Sequence, residues 1–153
     1  MFTTQTYYRR DFAAKGHNVV LSTSQMNIKS TALLASIGMD KGVVHFETFR
    51  RSVDGEKFMG YLRNLKRAHG RKRMVLYMDN LRVHLRKDVM KLYEELNIRP
   101  IFAPPYSPMY NPIEFVFAML KHKVKKWRIQ DMMKRKQRSY DELVPKAIGE
   151  VTK

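Results

Sequence analysis

Residues Met74 to Met78 form an unbroken apolar run that ends on a carboxylate, Asp79, and no other stretch restricts the fold so much. Such a run reads as a strand buried on both faces that delivers one charged group to a sheet edge. Behind it Leu85, Val89, Leu92 and Leu96 recur at spacings of four, three and four, the stripe of a helix lying on a core, and Asn97 closes that helix. Ile98 to Ala103 then reads as a second strand, halted by Pro104 and Pro105. Strand, helix and strand in this order and length predict a βαβ unit with parallel strands, both ending on the same side.

In open α/β sheets that side, beyond the carboxyl ends of the strands, is where ligands bind. Asp79 is expected there. The loop from Pro104 to Tyr110 leaves the second strand at the same edge and feeds a new helix, with Asn111 as N-cap, Pro112 at the first helical position and Glu114 at the third. Ile113, Phe117, Leu120, Val124 and Trp127 give this helix an apolar stripe, so Glu114 is expected on an element held rigid by packing. Each acid also has a plainer reading: Glu114 as part of a helix cap, Asp79 as a turn residue.

Asp79-Asn80 with His84 four positions beyond Asn80, then Pro105, Tyr106 and Ser107 within Pro-Pro-Tyr-Ser-Pro, then Asn111-Pro112-Ile113-Glu114, resembles the signature of the Tc1/mariner and IS630-type transposases. From Asp79 to Glu114 is 35 positions, with 34 residues between, which is the spacing of the Tc1 and IS630 branches. Looser likeness upstream, through Phe2 to Thr4 and Arg10 to Gly16, extends the resemblance over nearly all of 1–128. The resemblance implies an α/β, ribonuclease-H-like catalytic domain: a mixed sheet of antiparallel hairpin and parallel strands with flanking helices. It implies DNA strand cleavage and transfer, with Asp79 and Glu114 catalytic and holding Mg²⁺ or Mn²⁺, and Asn80, His84, Pro105, Tyr106, Ser107 and Asn111 as supporting positions. The implied partner is DNA, as transposon ends and target, and a homodimer is admitted. Phosphodiester chemistry needs an activated oxygen nucleophile and a stabilised leaving oxygen, and two divalent ions roughly 3.5 to 4 Å apart supply both.

The family uses three carboxylates, the first at the end of a first strand, just before the stretch that Met1-Phe2-Thr3 resembles. Asp11, Asp40 and Asp54 are the remaining candidates here, but none follows a buried apolar run. The chain therefore reads as a transposase catalytic domain over 1–128 lacking its first strand and the helix-turn-helix region ahead of it, with a basic tail and short helix over 129–153. In the ribonuclease-H-like order that first strand lies centrally, between the hairpin and the strand ending at Asp79.

Thirty Lys and Arg against fourteen Asp and Glu give a formal charge of +16, which draws polyanions and points first to nucleic acid, more weakly to an acidic membrane surface. Lys121, Lys123, Lys125, Lys126 and Arg128 crowd one helix as a DNA-binding group, though part of that charge answers the helix dipole. Arg63, Lys66, Arg67, Arg71, Lys72 and Arg73 form a second cluster. Nothing reads as a base-recognition element. With no cysteine, disulfides and thiolate zinc are excluded, and any metal falls to hard oxygen ligands. No run of eighteen apolar residues and no signal peptide appear, so no membrane partner is expected. The expected place is intracellular, nuclear in a eukaryote and cytoplasmic otherwise. Two other readings stand beside the enzyme: an inactive or domesticated fragment that only binds nucleic acid, and a small basic protein of ribosomal or chromatin type. Elsewhere the pattern predicts a hairpin from Thr31–Ile37 to Val43–Phe49, a helix from Gly55 to Ala68 capped by Asp54, and a last helix capped by Ser139 with Glu142 completing a capping box.

Overall fold

The computed structural model describes residues 2–3, 31–70, 72–105, 108–134, 136 and 138–151. Strand β1 is Phe2–Thr3, and β2 (Ala32–Gly38) and β3 (Gly42–Phe49) form the hairpin, with Lys41 N–H donating to the Gly38 carbonyl across the turn. All three are antiparallel in the order β1-β2-β3. Between Ser36 and Ile37 the register slips, because Ser36 pairs with His45 while Ile37 pairs with Val43. Val44 is thus an extra residue on β3, and both it and His45 meet the helix on one face, as a bulge requires.

Helix α1 (Gly55–His69) follows the cap that the sequence predicts: Lys57 N–H donates to Asp54 Oδ1 at 2.9 Å, and Gly70 ends the helix at φ +75°. Strand β4 (Met74–Met78) and strand β5 (Ile98–Phe102) pair in parallel, joined by α2 (Lys87–Glu95), which gives the expected βαβ unit. Asn97 takes φ +52° immediately before β5, the left-handed turn to which Asn is suited. Pro100 is tolerated because, among the described residues, β5 has one strand partner, which leaves alternate amides facing outward. After a short 3₁₀ turn at Pro108–Tyr110 comes α3 (Ile113–Met133), then α4 (Tyr140–Val151).

The hairpin separates two apolar clusters. Leu34 and Val44 join Phe58, Tyr61, Leu62 and Leu65 of α1, Met78 of β4, Val89, Leu92 and Tyr93 of α2, and Ile98 of β5. On the opposite face Leu33, Ala35, Val43 and Phe46 meet Phe117, Leu120 and Val124 of α3 and Leu143, Val144, Ala147 and Ile148 of α4. The predicted α3 stripe is therefore the buried one, and α4 belongs to the same core. At the start of α4 the Ser139 hydroxyl donates to the Glu142 carboxylate at 3.4 Å, while its carbonyl accepts from the Leu143 N–H.

Two expectations need correction. Strand β4 is not buried on both faces: Met78 is buried, but Val75 is 57% exposed and Tyr77 39%; among the described residues, the helices that pack on this pair of strands meet the Met78 face. Leu85 does not belong to the α2 stripe: it is exposed in the turn before the helix, which starts at Lys87 with Arg86 as N-cap.

The first strand shows a further difference. Phe2 and Thr3 pair with Leu33 and Ala32, so the row beside β2 that the sequence reading leaves vacant is taken at its first two positions. Among the described residues, Leu34–Gly38 has no strand partner on that side and neither has the outer edge of β4.

Candidate active site

Strands β4 and β5 end together. The ladder continues one step past β5, where Ala103 N–H donates to the Met78 carbonyl at 2.8 Å, and the next residue on the β4 side is Asp79. Its carboxylate is half-buried, with Oδ1 3.3 Å from His84 Nδ1. The His84 hydrogen bond holds the carboxyl below the usual carboxylate range, against the opposing push of partial burial. Asp79 is accordingly an ionised, hard oxygen donor at neutral pH, open on one side.

His84 is buried, its ring centroid 4.5 Å from that of Phe58 on α1. Asn80, which follows Asp79 in the chain, is exposed. The loop leaving β5 carries Pro104 and Pro105 on the surface; Tyr106 and Ser107 lie outside the described residues. Asn111 is buried, and its carbonyl accepts from Glu114 N–H at 3.0 Å, closing the first turn of α3. Glu114 is exposed at the positive end of that helix dipole. Thus Asp79 and the loop that positions Glu114 leave one edge of a parallel strand pair, as the sequence order predicts.

Of the other candidate acids, Asp54 is employed elsewhere. Asp54 caps α1 and pairs with Lys57 Nζ at 3.0 Å, Asp40 is exposed in the hairpin turn, and Asp11 lies outside the described residues. Among the described residues no group of three or more His, Cys, Asp or Glu could hold a metal ion. The two candidate acids, Asp79 and Glu114, are oxygen donors. That chemistry suits Mg²⁺ or Mn²⁺, which accept carboxylate oxygens and complete their shells with water and phosphate oxygens.

The five basic residues of α3 divide into two groups. Lys123 Nζ pairs with Glu150 at 3.0 Å, and Arg128 donates to the Tyr140 hydroxyl with its guanidinium 4.8 Å from that ring's centre, so both fasten α3 to α4. Lys121, Lys125 and Lys126 are exposed. Neither Glu150 nor Tyr140 was legible as a partner in the sequence, since they stand 27 and 12 positions away. In the second cluster Lys66 donates to the Lys72 carbonyl, Arg67 lies 3.4 Å from Asn64 Oδ1, and Arg71 lies outside the described residues. Among the described residues no helix is long and apolar enough to cross a membrane.

No curated protein matches this chain in sequence. Solved structures do match its fold. A chain of the simian T-cell lymphotropic virus intasome in complex with PP2A regulatory subunit B56 gamma aligns at TM-score 0.65 and 17% identity, covering 78% of this chain and 41% of that one. The Mos1 transposase paired-end complex with left transposon end aligns at TM-score 0.59 and 22% identity, over 95% of this chain and 48% of that one. The catalytic domain of Mos1 mariner transposase aligns at TM-score 0.56 and 24% identity, over 81% and 70%. The chain therefore spans less than half the length of the first two. In sequence, residues 1–135 match the model of the DDE superfamily endonucleases. With Asp79 at the end of β4 and Glu114 at the start of α3 on the fold of the mariner transposase catalytic domain, the chain belongs to the DDE superfamily endonuclease family.

Proposed function

We propose that this chain carries the metal-binding and DNA-cleaving site of a Tc1/mariner-type transposase, with Asp79 and Glu114 as two of its carboxylates. The observation that carries the reading is the shared edge: Asp79 follows β4, and the loop to Glu114 follows the parallel strand paired with it. Bound divalent ions would supply an activated water and a neutralised leaving oxygen for attack on a phosphodiester. Asp79 and Glu114 would hold them, Asp79 kept ionised by its bond to His84 and Glu114 fixed by the first turn of α3. The exposed Lys121, Lys125 and Lys126 would take the phosphate backbone, in a chain whose charge is +16. Transposon ends and target DNA are the proposed substrates, bound by a pair of chains, in whichever compartment holds the DNA.

A second reading, binding of nucleic acid without cleavage, is favoured by one observation: among the described residues no group of three His, Cys, Asp or Glu could hold a metal ion. The two are separated with supercoiled plasmid in Mg²⁺ or Mn²⁺, using this chain, D79N, E114Q, and a form extended at its N-terminus by an apolar strand ending in Asp. The expected result is binding by all, nicking by the extended form, and loss of nicking when D79N or E114Q is added to it. Nicking that survives D79N would place the chemistry elsewhere.

A further inference from the structure

The turn after Asp79 folds a histidine back onto it. His84 N–H donates to the Leu81 carbonyl at 2.9 Å and Leu85 N–H to the Arg82 carbonyl at 3.3 Å, which reverses the chain and sends the imidazole inward, 7% exposed, onto Phe58. Nδ1 then lies 3.0 Å from the backbone carbonyl oxygen of Asp79 and 3.3 Å from its Oδ1. A carbonyl oxygen can only accept, so the hydrogen of this contact is on Nδ1. A single N–H therefore faces two oxygens of one residue, one from its main chain and one from its side chain. Phe58 is itself 4% exposed within the α1 core, so the ring is fixed to the core.

Two consequences follow from that geometry. A nitrogen that carries its hydrogen has no lone pair for an ion, so His84 cannot be a ligand through Nδ1. And an Asp side chain bonded to the same rigid group as its own carbonyl loses the choice among staggered wells that a free carboxylate keeps. We propose that His84 is the positioning residue of Asp79: its Nδ1–H clamps Oδ1 against the β4 end, so that the second carboxylate oxygen is presented to a divalent cation in a fixed direction. This rests on the reading of Asp79 as a metal ligand given above. Outer partners of this kind commonly change metal affinity by about 10- to 100-fold when removed.

The test uses the full chain with H84N, H84F and D79N, measuring Mn²⁺ dissociation constants from the electron paramagnetic resonance of the free ion, and Tm in parallel. Asn places an amide nitrogen near the Nδ1 position and loses the ring; Phe keeps the ring on Phe58 and loses the donor. If His84 positions Asp79, H84F weakens Mn²⁺ binding by about tenfold or more and H84N recovers most of it. If His84 only packs, the order reverses, H84F being the milder change. Wild-type affinity in H84F, or no recovery in H84N, overturns the proposal. Equal Mn²⁺ binding by D79N and wild type would instead sink the reading of Asp79 as a ligand. The clamp is then still read without any ion, by long-range ¹H–¹⁵N spectra of the His84 ring and the ¹³C shift of the Asp79 carboxyl. Hydrogen on Nδ1, with a carboxyl shift that moves in H84F and returns in H84N, supports the clamp; a ring protonated on Nε2 alone overturns it.

Discussion

Asp131 and Arg138 show how much one local pair does for the end of α3. The Arg138 guanidinium forks onto the two carboxylate oxygens at 2.6 and 2.8 Å, and that hydrogen bond above all holds the Asp131 carboxyl below its usual value. A carboxyl lowered on folding contributes stability above its unfolded pKa, about 3.9, and loses it as pH falls through the folded value. D131N should therefore lower Tm at pH 7 relative to the parent, with the gap closing below about pH 4. A gap that stays constant in acid would show that the pair acts through shape alone. Of the candidate acids, Asp54 was legible as a cap because its partner Lys57 is three residues away, whereas the clamp on Asp79 was not. His84 stood in the motif as a supporting position, and nothing in the spacing says that the chain turns back to bring it onto Asp79.

The elements were legible wherever their ends are set by neighbours in sequence. Asp54 and Gly70 bound α1, and Asn97 ends α2 in the left-handed region before β5. N97V should cost about 1 to 2 kcal/mol in denaturant unfolding, because a β-branched residue resists that conformation, while N97G should cost little. If the two behave alike, the turn is not what fixes the β5 register. Elements were misread where a distant contact decides. Leu85 has helical spacing from Val89, but the turn that carries His84 to Asp79 delays α2 until Lys87. The apolar run of β4 could not reveal that Val75 and Tyr77 are exposed. Leu120 is the clearest packing test: it is fully buried where α3 meets the hairpin and α4, so L120A should lose roughly 2 to 5 kcal/mol. A loss well under that range would mean that α3 is not anchored through this face.

At the scale of the molecule, charge and topology make separable claims. A chain of net charge +16 should bind duplex DNA with little sequence preference and with affinity that falls steeply as salt rises. Replacing Lys121, Lys125 and Lys126 by Gln should flatten the slope of log affinity against log salt by up to about 3, one per lost phosphate contact. K123Q and R128Q should instead lower Tm, since those side chains fasten α3 to α4. The opposite assignment would place the DNA path on another face. The elements that carry Asp79 and Glu114 were legible in the sequence because a βαβ unit and a helix start are local patterns, whereas the pairing of the two acids came from the family resemblance. The central claim is that these two carboxylates belong to one site that holds the divalent ions. The most direct measurement is the backbone amide spectrum of the ¹⁵N-labelled chain as Mn²⁺ is added. The account predicts that broadening begins around Asp79–Asn80 and Glu114 together, and that D79N abolishes it at both. Broadening centred on Asp40 or Asp54, or at Asp79 and Glu114 independently of each other, would contradict it.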